Sequence, residues 1–207
     1  MTRGSACAAS IHPFQRDGLL ATCVYIRQKR NVLVCGPTGV GTPAPAAHRR
    51  CGAGETHLAQ ALAHEACRRG HDVLFINTHR MLQHVHGGRA DGTLERRFQL
   101  YLRPDLLVLD DFGLKPLRSP APEDLYDVIN ERYERGSILL TSNRAPSEWP
   151  DLFGEPLLAS AGLDRLADNA HTVLITGASY RTHRQRSHPV LEEPNGTNDQ
   201  DQNAKNR

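Results

Sequence analysis

Five short, almost wholly apolar runs, NVLVC, DVLFIN, LLVLDD, SILLTSN and HTVLIT, recur between Asn31 and Thr176. Between them lie stretches whose apolar residues repeat at helical spacing. The clearest is Thr56 to Arg69, with Leu58, Ala59, Leu62, Ala63 and Ala66 on one face and a stop at Gly70. THRMLQHV, TLERRFQLYL, PEDLYDVINERYERG and EPLLASAGLDRLADN follow as further helices, and GLLATCVYIRQKR precedes the first strand as a short one. A strand that is apolar along its length is covered on both faces, and parallel neighbours must be joined by a crossover long enough to hold a helix. The pattern therefore predicts an α/β fold with three layers, α/β/α, around a central parallel sheet.

The remainder of the chain sets the boundaries. Residues 1–30 read as a short, partly disordered lead-in and 31–178 as the folded domain. Residues 179–207 lack an apolar period and read as a disordered polar tail. A net charge of +2 is too small to indicate a nucleic-acid partner by itself. The five cysteines include no C-x-x-C pair and read as thiols of a reducing compartment. The 11 histidines, of which His84 and His86 are the closest pair, belong to no metal-binding motif. No apolar run approaches membrane-spanning length and the N-terminus has no apolar leader core, so a cytoplasmic location is expected, with no membrane partner.

In an open parallel sheet, ligands bind beyond the carboxyl ends of the strands. Three such ends carry chemistry. The first strand runs into Gly36-Pro37-Thr38-Gly39-Val40-Gly41, the front of a phosphate-binding loop G-x-x-x-x-G-K-[ST], whose glycines turn backbone N–H groups toward an anion. LLVLDD delivers Asp110 and Asp111, suited to holding Mg2+ and to orienting or deprotonating water, although an Asp-Asp pair also caps turns. LLTSNR ends in Thr141, Ser142 and Asn143, where an amide can bond an attacking water or a phosphate, or simply its own turn.

With NVLVCGPTGVG, THLAQALAHEACRRG, RPDLLVLDDFGLKPL, INERYERGSILLTSNRAPSEW and the LDRL-to-GASYR end in this order, the sequence resembles the IstB-like ATP-binding proteins. These are relatives of the helicase loader DnaC within the AAA+ P-loop ATPases. The resemblance implies ATP and Mg2+ as cofactors, double-stranded DNA and a transposase as partners, assembly into a homo-oligomer, and help given to that transposase at its target. By the same resemblance Gly36 to Gly41 and Thr56 hold the nucleotide, and Thr56 and Asp110 hold Mg2+. Asp111 serves as base, Asn143 as sensor, and Arg165 in LDRL as the arginine shown to a neighbouring subunit's ATP. A surface ion pair of Arg165 with Asp164 or Asp168 is the competing reading.

Two departures stand against that pattern. Thr42 through Glu55 occupy the place of the single loop lysine, which reads as an insertion at 42–55. Aligned instead through Cys51-Gly52-Ala53-Gly54-Glu55-Thr56, the loop has Arg49 for its first glycine and Glu55 for its lysine, unless Arg49 or Arg50 lends the missing cation. Such proteins also usually carry a larger N-terminal helical region. ATP binding and hydrolysis are therefore expected to be impaired, and whether the chain is an active ATPase is left open. A DnaC-like helicase loader and a non-catalytic scaffold of the same fold are the alternatives.

Overall fold

The computed structural model describes residues 20–36 and 54–175. A short helix, α1 (Val24–Arg27), leads into β1 (Val32–Cys35). After it come α2 (Glu55–Arg68), β2 (Val73–Asn77), α3 (Thr78–Asp91), α4 (Leu94–Leu102) and β3 (Leu106–Phe112). The chain continues through α5 (Ala121–Arg132), β4 (Ser137–Ser142), a 3-10 turn at Pro146–Glu148, α6 (Pro150–Phe153), α7 (Pro156–Ala167) and β5 (His171–Leu174). The strands form one parallel sheet in the order β2-β3-β4-β1-β5. The α/β expectation holds.

Because side chains alternate across a strand, each central strand feeds two cores. Leu33, Leu107, Leu109, Ile138 and Leu140 face α3, α4, α5 and α7, where Met81, Phe98, Leu125 and Val128 complete one layer. Val32, Val34, Leu106, Val108 and Leu139 face the other way, onto Tyr25 and Ile26 of the α1 segment and Ala59, Leu62 and Ala66 of α2. Residue pairing across β3, β4 and β1 aligns their carboxyl ends, so Asp110, Thr141, Ser142 and Gly36 converge at one edge of the sheet.

The structure differs from the sequence reading in three places. DVLFIN is an edge strand: its residues are only half-buried and Phe75 is 37% exposed, because among the described strands β2 has a neighbour on one side only. THRMLQHV does not stop before Gly87-Gly88 but runs on to Asp91. The glycines serve packing here, since a Cβ on Gly88 would lie 2.8 Å from the Leu94 α-carbon at the start of α4. The helix ends instead at Gly92, with φ of 71°. The third difference is the turn and short helix at 146–153, which bring Trp149, Leu152 and Phe153 into the core.

Two polar side chains brace the opposite end of the sheet. Asn31 donates to the Leu166 carbonyl (3.0 Å) and accepts from the Ile138 N–H (2.9 Å), tying β1 to α7 and β4. Arg132, 1% exposed, donates to the carbonyls of Tyr101, Leu102, Asp105 and Ser137. Burial pulls its guanidinium down to about 10, with partial relief from Asp105. Gly136 leaves room for it, because a Cβ there would sit 2.6 Å from a guanidinium nitrogen.

Candidate functional site

Asp110, near the end of β3, is 8% exposed and fixed from three elements. Its Oδ1 accepts from Thr56 Oγ1 at 3.1 Å, from α2, and from Thr141 Oγ1 at 2.5 Å, from β4. Its backbone carbonyl accepts from Thr78 Oγ1 at 2.9 Å, at the start of α3. A carboxylate held by hydroxyls stays oriented without an ion pair, and a threonine hydroxyl beside it is the hard-oxygen pair that suits Mg2+, directly or through water.

Strand alternation alone would send Asp111 to the far face of the sheet. Instead the β3–β4 register shifts between Leu109 and Phe112, and Asp111 adopts φ of 58°. This left-handed residue is one an aspartate tolerates better than most. The Asp111 N–H donates to Thr141 Oγ1 (3.0 Å), and Asn77 Nδ2 donates to Asp111 Oδ2 (3.1 Å). Asn77 also caps α3, its Oδ1 accepting from the N–H groups of His79 and Arg80. Asp111 remains exposed beside a cleft of about 700 Å³ that Asn77, Arg80, Asp110 and Lys115 help to line.

On β4, the Ser142 carbonyl accepts from the Gly36 N–H (2.8 Å) and the Ser142 hydroxyl donates to the Phe112 carbonyl (2.9 Å). Asn143 is exposed just beyond, next to Gly36, where a Cβ on the glycine would come within 3.4 Å of the Asn143 α-carbon. The same position on Gly36 is filled by Glu55. The Oε1 atom of Glu55 stands where a Cβ on Gly36 would be, so a side chain at 36 would have to displace the carboxylate, and Glu55 is 5% exposed. Its negative charge adds to burial, the larger cause, in pushing the Cys35 thiol up to about 11. Gly54, with φ of 116°, precedes Glu55 at the start of α2.

Gly36, Thr56, Asp110, Asp111 and Asn143 are thus gathered at the carboxyl ends of β1, β3 and β4. Pro37, Thr38, Gly39, Val40 and Gly41, together with Arg49 and Arg50, lie outside the described residues. Arg165 is not brought to the group. It lines a cavity with Lys29, Arg30 and Asn31 near the amino ends of the strands, donating to Tyr126 Oη and the Ala161 carbonyl (both 3.2 Å), its guanidinium 5.4 Å from the Tyr126 ring centre. Asp168 accepts from Tyr133 instead (2.6 Å). Asn77 and Thr78 were not foreseen, although β2 ends in Asn-Thr just as the neighbouring strands end in polar residues. Among the described residues no group of three or more His, Cys, Asp or Glu could hold a metal, and no helix is long and apolar enough to cross a membrane.

A parallel sheet in this order, with a helix-borne threonine on the strand-end aspartate, defines a P-loop protein of the AAA+ type. The chain belongs to the IstB-like family: the family model described as IstB-like ATP binding protein matches residues 49–188. A protein of Mycobacterium tuberculosis, described as an ATP-binding protein in an insertion sequence, is 43% identical over 163 residues, covering 78% of this chain and 60% of that one. The insertion sequence IS21 ATP-binding protein of Pseudomonas aeruginosa is 35% identical over 172 residues, 83% of this chain and 60% of its own. The chain therefore spans about 60% of the length of these relatives. In fold it resembles DnaI (TM-score 0.63, 18% identity, 84% of this chain and 92% of that one). It also resembles the DnaC helicase loader (TM-score 0.59, 19% identity, 81% and 95%).

Proposed function

We propose that the chain is a helper of DNA transposition whose nucleotide site is disabled by Glu55. Support for the first half comes from relatives described as insertion-sequence ATP-binding proteins. Such a helper works in the cytoplasm as a homo-oligomer on double-stranded DNA, beside the transposase of its element. Thr56 and Asp110 would hold Mg2+, which neutralises phosphate charge when bound. Asp111, steadied by Asn77, would take the proton of the attacking water. Asn143 would donate to that water or to the terminal phosphate, and Arg165 would leave Tyr126 to reach a neighbouring subunit's nucleotide.

The observation that carries the second half is the place of Glu55. It immediately precedes Thr56, lies against Gly36 and is buried. In the loop signature a lysine precedes the threonine. A unit charge ~4 Å from a phosphate is worth about 4 kcal/mol at an effective dielectric near 20, so a carboxylate there repels the group the lysine would attract. The residues fit Mg2+, but Glu55 does not fit a triphosphate. The same observation favours a second reading, a scaffold that keeps the oligomer contacts without turning nucleotide over.

Strand transfer by the element's own transposase, measured with the chain and with Glu55→Lys, tests this. Helper function predicts ATP-dependent stimulation by Glu55→Lys and none by the chain itself. Stimulation by both without ATP favours the scaffold. Helicase loading by Glu55→Lys, with no effect on strand transfer, favours a DnaC-like loader.

A further inference from the structure

We propose that the groove between α3 and the segment joining β3 to α5 docks a segment of a partner protein in which apolar side chains alternate with carboxylates. The groove encloses about 450 Å³ and is lined chiefly by apolar surface. Leu82, anchored in the core at 4% exposure, forms part of its floor, and Pro116, Leu117 and Pro120 form one wall. That wall is already set, because the Leu117 N–H donates to the Leu152 carbonyl (3.0 Å) and the Ala121 N–H to the Arg118 carbonyl (2.8 Å). A preformed apolar groove takes a ligand without the cost of ordering its own walls.

Charge decides what kind of ligand. Lys115 and Arg118 stand exposed on the wall, and neither has an ion pair among the described residues. Among the described residues no carboxylate lines the groove. The nearest acids along the chain are Asp111, which accepts from Asn77 Nδ2 (3.1 Å) and lines the adjoining cleft, and Glu123, which accepts from Ser119 Oγ (3.3 Å). Two cations flanking an apolar trough match a peptide that supplies apolar anchors and acids together. They match nucleic acid poorly, since a phosphate backbone is held by a longer row of cations and exposed bases by broad aromatic platforms, and among the described residues no Phe, Tyr or Trp lines the trough, whose only rings are the imidazoles of His79 and His86.

The groove adjoins the Asp110–Asp111 cleft, with His79 and Gln83 of α3 lining both. A docked segment therefore lies against the helix whose cap, Asn77, holds Asp111. Docking itself needs no nucleotide, so it stands or falls independently of the state of the phosphate loop.

Selection of short random peptides displayed on phage against the full chain tests this, followed by anisotropy titration of the enriched peptides and of a duplex DNA. The expected result is enrichment of sequences pairing Leu, Ile or Phe with Asp or Glu, whose affinity falls by about tenfold in Lys115→Glu/Arg118→Glu. Gln83→Glu, which sets a carboxylate on the facing helix, gives the same direction of loss without touching the wall. No enrichment, enriched peptides that bind the charge-reversed variants as tightly as the parent, or loss of duplex binding with no peptide bound overturns the proposal.

Discussion

The carboxylate of Glu55 lies against the α-carbon of Gly36, at the carboxyl end of β1 and one residue before the threonine that bonds Asp110. At the same strand ends stand the Thr56–Asp110 hydrogen bond, the carboxylate of Asp111 and the exposed Asn143. On the function proposed above, these make the hard-oxygen half of a nucleotide centre and Glu55 puts the wrong sign on the other half.

Thr141 holds Asp110 and the Asp111 N–H at once. Thr141→Val removes both partners from a strand position that is 2% exposed. The expected cost is about 1–3 kcal/mol in urea unfolding at neutral pH, because buried polar groups left unbonded lose their solvation uncompensated. Thr141→Ser keeps the hydroxyl and should cost less.

Asn77 separates two roles by its two side-chain atoms. Asn77→Ala should lose about 1 kcal/mol of stability through the cap of α3. Asn77→Asp keeps the cap but sets a second carboxylate against Asp111, so its deficit should be largest at neutral pH. It should shrink as the solution is acidified below about pH 4, where carboxylates protonate. A urea titration at several pH values distinguishes the two.

Arg132 serves four carbonyls that no other described side chain reaches. Arg132→Met fills the volume yet takes the guanidinium donors from the Tyr101, Leu102 and Ser137 carbonyls, while the Asp105 carbonyl keeps the Ser137 N–H (3.0 Å), and about 3 kcal/mol or a failure to fold is expected. Because its folded pKa is depressed to about 10, the guanidinium is a net cost of burial that alkaline pH relieves rather than a source of stability lost there.

Cys35 reports the charge of Glu55. Its thiol is raised from 9.0 to about 11, first by burial and then by the carboxylate. The folded state favours the protonated form, so the contribution to stability is full below pH 9.0 and lost as the pH rises through about 11. Iodoacetamide, read peptide by peptide in mass spectrometry, should modify the exposed Cys67 well before Cys35. Glu55→Gln should speed the Cys35 reaction.

Much of this was legible in the sequence because β1, β3 and β4 are buried on both faces and so read as unbroken apolar runs with polar ends. Asp110, Asp111 and Asn143 were placed at the strand ends by that route. Asn77 was not, since its role depends on β2 lying beside β3, and adjacency of strands is not written in either strand. The direction of Asp111 needed the bulge, which no local pattern announces. Arg165 could be placed on a helix, but the charge pattern suggested Asp164 or Asp168 as its partner, whereas the fold supplies Tyr126 from α5. Glu55 was visible as a substitution, while its burial against Gly36 was not.

Calorimetric titration of ATP with Mg2+ into the chain and into Glu55→Lys asks directly whether Glu55 disables the nucleotide site. Micromolar binding is expected for Glu55→Lys and an affinity at least about a hundredfold weaker for the chain itself, as reversal of a charge near the phosphates requires. Equal, micromolar binding by the two would contradict this and show that the carboxylate of Glu55 does not face the phosphates.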